Sequence, residues 1–158
     1  MNLEFAEPSP ALQFFVPGIP APGGSKRAFA IKKGGVYTGR TVVFDDAGQR
    51  NKDWRSAVAA CAAAVMTDEP MRGPLRVKFD FIMPRLKAHY HTSKKRAGEQ
   101  REDAPTYHVT KPDTTKLIRS TEDALTGIAW ADDAQIAVQA ATKTYGDKPG
   151  CHLTITPL

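Results

Sequence analysis

The chain has 158 residues, 22 Lys plus Arg against 17 Asp plus Glu, a formal net charge of +5 and two cysteines. That length suits one domain with its own core, and Cys61 and Cys151 have neither zinc-site spacing nor the numbers for a disulfide framework, so both are expected buried and reduced. With no bilayer-length apolar run and no charged-then-apolar leader, the sequence reads as soluble and cytoplasmic, with a weak preference for a polyanionic partner.

Residues 1–11 hold two prolines and no sustained pattern, and read as a loose lead-in. Leu12, Phe14 and Val16 alternate with Gln13 and Phe15, as in a short strand ending at Pro17-Gly18. The Pro- and Gly-rich segment from Pro20 to Arg27 is expected to be irregular. Lys26 and Arg27 on it suit phosphates as well as they suit a solvated linker. Its glycines lack the P-loop order, which disfavours ATP hydrolysis.

Residues 28–31 and 36–43 flank Lys32-Lys33-Gly34-Gly35 and predict a hairpin with a basic tip. Asp45-Asp46 introduces a helix to about Met66, with Trp54, Val58, Cys61 and Val65 as its buried stripe. Trp54 reads as core rather than as a platform for bases. Leu75, Val77, Phe79, Phe81 and Met83 alternate with Arg76, Lys78, Asp80 and Ile82, the clearest strand pattern in the chain, closed by Pro84.

From Arg85 to Thr110 periodicity is lost. This long basic loop carries Lys94, Lys95 and Arg96 among its six cations, and it is expected either to touch a nucleic-acid backbone or to remain a charged surface loop. His89 and His91 lack a third ligand, so no metal role is assigned to them. After the next helix, strands near Ile136–Val138 and Leu153–Ile155 are expected to pair as a hairpin through Gly146–Gly150. The order of elements predicts a compact single-domain α+β fold with a mixed β-sheet and two main helices.

The residues of greatest chemical interest lie between Lys111 and Ile136. Pro112 suits a first helical turn, and Asp113 is read as either a helix cap or a ligand. Leu117, Thr121, Ala124, Leu125 and Ile128 recur at helical spacing, while Thr115, Arg119 and Glu122 share another face. Gly127 stops the helix. Asp132-Asp133 follows as either a solvated acidic turn or a second carboxylate position.

Lys111-Pro112-Asp113, Lys116-Leu117, Arg119, Asp123-Ala124-Leu125 and Asp132-Asp133-Ala134-Gln135-Ile136, in that order and spacing, resemble the RusA family of Holliday-junction resolvases. The resemblance implies a RusA-like fold, a homodimer acting on branched DNA, especially four-way junctions, and a phage or prophage setting. It makes Asp113 and Asp133 metal-binding carboxylates, with Asp132 as a further candidate, for Mg2+ or alternatively Mn2+. Arg119 stands where the family has a catalytic lysine, and Thr115 where it usually has a second aspartate. Arginine keeps the charge and a fork of donors but does not give up a proton; Glu122 reads first as a solvated helix glutamate and otherwise as a carboxylate placed to restore the lost charge. Lys111 and Lys116 join Lys26, Arg27 and the loop lysines as expected DNA contacts, and Asp123 is four residues from Arg119, where it can orient the guanidinium. Two other readings remain: a junction-binding protein that has lost cleavage, and a broader flap or fork nuclease.

Overall fold

A computed structural model describes residues 11–24, 26–45, 48–66 and 69–158. Its main sheet has four strands in the order β1 (Leu12–Pro17), β6 (Gly150–Pro157), β4 (Leu75–Pro84), β5 (Ile136–Gly146). β4 is central because its alternate side chains are all apolar: Leu75, Val77, Phe79, Phe81 and Met83 point into the core. It pairs antiparallel with β6 and parallel with β5, while β1 closes the far edge antiparallel to β6. This is the expected mixed sheet of an α+β fold.

One helix, α1 (Gly48–Val65), packs on β1 and on the second helix, α2 (Thr114–Leu125). Trp54, Val58 and Ala62 from α1 and Leu117, Ala124 and Leu125 from α2 join the β4 and β6 side chains in one core. Polar groups also cross the helix pair. Asn51 Nδ2 donates to Ser120 Oγ at 2.6 Å, and Trp54 Nε1 donates to Thr121 Oγ1 at 3.1 Å, both buried.

β2 (Lys26–Lys33) and β3 (Val36–Asp45) form a separate antiparallel ribbon. Its turn is Gly34-Gly35, at φ 61° and 82°, a left-handed geometry that suits glycine at both positions of a tight hairpin.

Several expectations need correction. β5 and β6 do not pair with each other: β4 lies between them, because its doubly flanked apolar run is the segment best buried at the sheet centre. Lys26 and Arg27 belong to a strand rather than to the irregular segment, although their side chains lie outside the described residues. α1 starts at Gly48; Asp45 ends β3, and Asp46 lies outside the described residues. Within α1 the inward positions are Asn51, Trp54, Val58 and Ala62, whereas Val65 is exposed and Cys61 half-buried. Cys151 is buried as expected, and burial pushes its thiol pKa up.

The long loop is less formless than its composition suggests. It carries a 3-10 turn at Lys87–His89 and a bridge between Tyr90 and Gln100. Its later part lies along β5, where His108 N donates to Lys143 O and Tyr145 N donates to Thr106 O. The rings of His89 and His108 sit 4.6 and 4.7 Å from that of Tyr145. The lead-in at residues 1–10 lies outside the described residues.

Candidate active site

Asp113 stands at the N-cap of α2, yet its side chain makes no capping hydrogen bond. Pro112 lies one residue before the N-cap rather than in the first helical turn, after a cis Lys111–Pro112 peptide. Two neighbours hold this entrance. Lys143 Nζ on β5 donates to the carbonyls of Thr110 and Pro112, and Gly23 N donates to Lys116 O. The Asp113 carboxylate is exposed, with the Lys116 ammonium 3.9 Å away.

α2 ends through Thr126, and Gly127 follows at φ 86°. The chain then reaches a 3-10 turn, Asp133–Gln135. Its two aspartates are differently employed. Asp132 Oδ1 accepts from Ala134 N at 2.8 Å, capping the turn. Gln135 Oε1 accepts from Ala131 N and Asp132 N, and its amide donates to Met71 O and Gly73 O. The Asp133 carboxylate is exposed and makes no hydrogen bond or ion pair to another described residue. Thus Asp132 and Gln135 build the turn that presents Asp133.

Glu122 on α2 is half-buried and bonded to the Gln139 amide of β5. Burial first, then the negative charges of Asp133 and Asp123, push its carboxyl up from 4.5 to about 7. Asp133 is therefore near enough to Glu122 to repel it. Asp113 is nine residues before Glu122, about 13 Å along the helix at 1.5 Å per residue. β5 runs the opposite way beside α2, with Gln139 at the Glu122 end and Lys143 at the Asp113 end. Among the described residues, no three His, Cys, Asp or Glu side chains gather as a metal-ligand set.

The acidic donors are thus spread along α2 rather than gathered at one point. Such hard oxygen donors suit a divalent cation that takes one or two protein carboxylates and completes its shell with water and phosphate. Thr115 and Arg119 are exposed on the same helix. Asp123 makes no hydrogen bond to Arg119 among the described residues; its charge acts on Glu122 instead.

The family described as Endodeoxyribonuclease RusA matches residues 19–156. The chain belongs to the RusA family. It is also 25% identical over 144 residues to a Bacillus subtilis (strain 168) protein named YqaN, a match spanning 91% of this chain and 94% of that one. In RusA terms, the matched stretch includes both the α2 entrance and the Asp132-Asp133 turn, as well as β2, β3 and the long loop.

The expected DNA contacts fall into groups. Lys94, Lys95, Lys111 and Lys116 are exposed. Arg96 is instead paired with both Glu99 and Glu102, and draws the Glu102 carboxyl down to about 2. Arg101 is bonded to Asp103 through two nitrogens. The basic loop therefore balances part of its own charge. Sequence reasoning missed Lys143 and Gln139, because one lysine or glutamine on a strand carries no motif. The Asp-Asp-x-Gln spacing did contain Gln135, but only the fold reveals its bonds to the distant Met71 and Gly73 carbonyls.

Proposed function

We propose that this RusA-family chain is a structure-specific endodeoxyribonuclease that resolves four-way DNA junctions by paired, symmetric cuts, using a divalent cation. The observation that carries the reading is the division of labour around α2. Asp132, Gln135 and Lys143 use their polar groups to hold backbone, whereas Asp113 and Asp133 keep exposed carboxylates that accept no hydrogen bond from the described residues, Asp113 having only the Lys116 ammonium 3.9 Å away.

Asp113 and Asp133 are the carboxylates assigned to the cation; Glu122 adds negative charge beside Asp133, about 13 Å along α2 from Asp113, and does not complete a three-carboxylate set with them. A bound divalent ion supplies an acidified water and positive charge at the scissile phosphate. Burial is the main cause of the raised Glu122 pKa; the further push from Asp133 and Asp123 would be relieved by a cation beside them. Arg119 grips a phosphate oxygen and neutralises charge as the bond to phosphorus breaks. Its engagement in the turn makes Asp132 a positioning residue. Two such sites related by two-fold symmetry match the two strands to be cut, so the working form is a homodimer. The whole chain acts as one domain in this reading.

The test is cleavage of an end-labelled four-way junction beside a matched linear duplex, with Mg2+ and with chelator, for wild type and Asp133→Asn. Paired nicks in the junction alone, requiring metal and lost in the variant, are expected. Equal cutting of flaps and forks would favour a broader nuclease, and tight binding without cuts a protein that only binds junctions.

A further inference from the structure

The β2–β3 ribbon has no task in the site described above. Its composition is unusual: over Lys26–Asp45 there are five Lys or Arg and a single carboxylate, Asp45, leaving 17 basic and 16 acidic residues elsewhere. The ribbon therefore carries +4 of the chain's formal +5, and its one carboxylate, Asp45, lies at the root opposite Lys26. Ala28 to Val42 are exposed without exception, including Val36 at 71% and Tyr37 at 52% beside the turn.

The ribbon is rooted beside the site helix at both ends. Before β2, Gly23 N donates to Lys116 O of α2. After β3, the first turns of α1 reach α2 through the buried Asn51–Ser120 bond. Eight residues of β2 at about 3.3 Å each make an arm of roughly 26 Å. Cross-strand pairing puts Lys32 with Tyr37 and Lys33 with Val36, so these neighbouring lysines point to opposite faces of the ribbon.

We propose that this ribbon is a duplex-gripping arm that lies in a groove of a DNA helix flanking the cut. A two-stranded ribbon fits the width of the major groove. Cations on both faces then meet phosphates on both groove walls, with Arg40 adding a contact along β3, while Val36 and Tyr37 lie against the apolar faces of sugars and bases. Tyr37 is held in place by its 3.2 Å hydrogen bond to Thr41. An isolated hairpin is marginal alone in water, and the groove supplies its missing partner. A second copy of the chain is a poorer occupant, because two ribbons with no carboxylate between Lys26 and Phe44 repel one another.

The proposal rests on the reading of the chain as a DNA nuclease, and binding measured in chelator separates the two. Fluorescence anisotropy on a labelled linear duplex and a labelled four-way junction compares wild type, K32A/K33A/R40A and K32R/K33R over a salt series. The neutralised ribbon is expected to bind both DNAs tenfold or more weakly, and its salt slope to fall by about 2–3, near 0.9 for each phosphate that is no longer neutralised. The arginine variant keeps wild-type binding. Unchanged affinity and slope in the neutralised variant would overturn the proposal, and so would unchanged slopes accompanied by loss of a wild-type dimer in sedimentation. If wild type binds with ribbon-dependent slope but cuts nothing with metal, the nuclease reading fails and the arm stands. If wild type cuts and the neutralised ribbon binds equally well, the arm fails and the nuclease reading stands.

Discussion

Lys143 on β5 donates to the Pro112 carbonyl at 2.6 Å and to the Thr110 carbonyl at 2.8 Å, tying the sheet edge to the backbone that delivers Asp113. The ammonium touches no reacting atom in this arrangement; it sets where α2 begins. Lys143→Met is expected to lower kcat on a four-way junction by about ten- to a hundredfold, because small displacements of reacting groups slow the chemistry steeply. KM changes little, since the exposed cations proposed to meet DNA remain. A loss confined to KM would argue instead that Lys143 itself holds DNA.

The second prediction concerns pH. Glu122 titrates near 7 in the folded chain against 4.5 ordinarily, so the fold retains a proton that the unfolded chain releases. Stability therefore falls as pH rises from about 4.5 to 7, and has lost this contribution above that window. Glu122→Gln is expected to remove the slope and to raise the thermal midpoint at pH 8 by a few degrees in chelator. Identical slopes for wild type and variant would remove Glu122 from the account.

A third test addresses the helix pair. Asn51→Ala leaves the Ser120 hydroxyl buried without its 2.6 Å donor, at a cost of about 1–3 kcal/mol. Urea denaturation should show a lower midpoint with an unchanged slope. Since α2 carries the proposed site, the junction cleavage proposed for this chain should also fail at a lower temperature in this variant than in wild type.

The fourth prediction probes the far side of the sheet. A Cβ at Gly150 would collide with the Phe15 ring and the Val16 carbonyl where β6 meets β1. Gly150→Ala is expected to cost about 3 kcal/mol, because backbone as well as a side chain must shift. Gly73→Ala is the contrasting case: nothing lies within 4 Å of the added carbon, and only the φ of 82° opposes it. Its smaller loss, measured by thermal unfolding, would separate packing from backbone strain.

How much of this was legible beforehand depended on the range of the interactions involved. The alternation in β4, the Gly-Gly turn, the Asp113 start of α2 and the Gly127 stop are local, so neighbouring residues carry them in the sequence. The fold class and the RusA resemblance followed from such local signals in order. The placement of β4 between β5 and β6 could not be read this way, since strands brought together from distant positions carry no spacing signal. The same holds for Lys143 at the Pro112 carbonyl, for Gln135 at Met71 and Gly73, and for the pairing of Arg96 within its own loop. Residue order was enough to say where charge and apolar faces are available. Which carboxylates are consumed by the backbone and which stay open emerged with the packed chain, because each backbone donor is satisfied by whichever acceptor folding brings within reach.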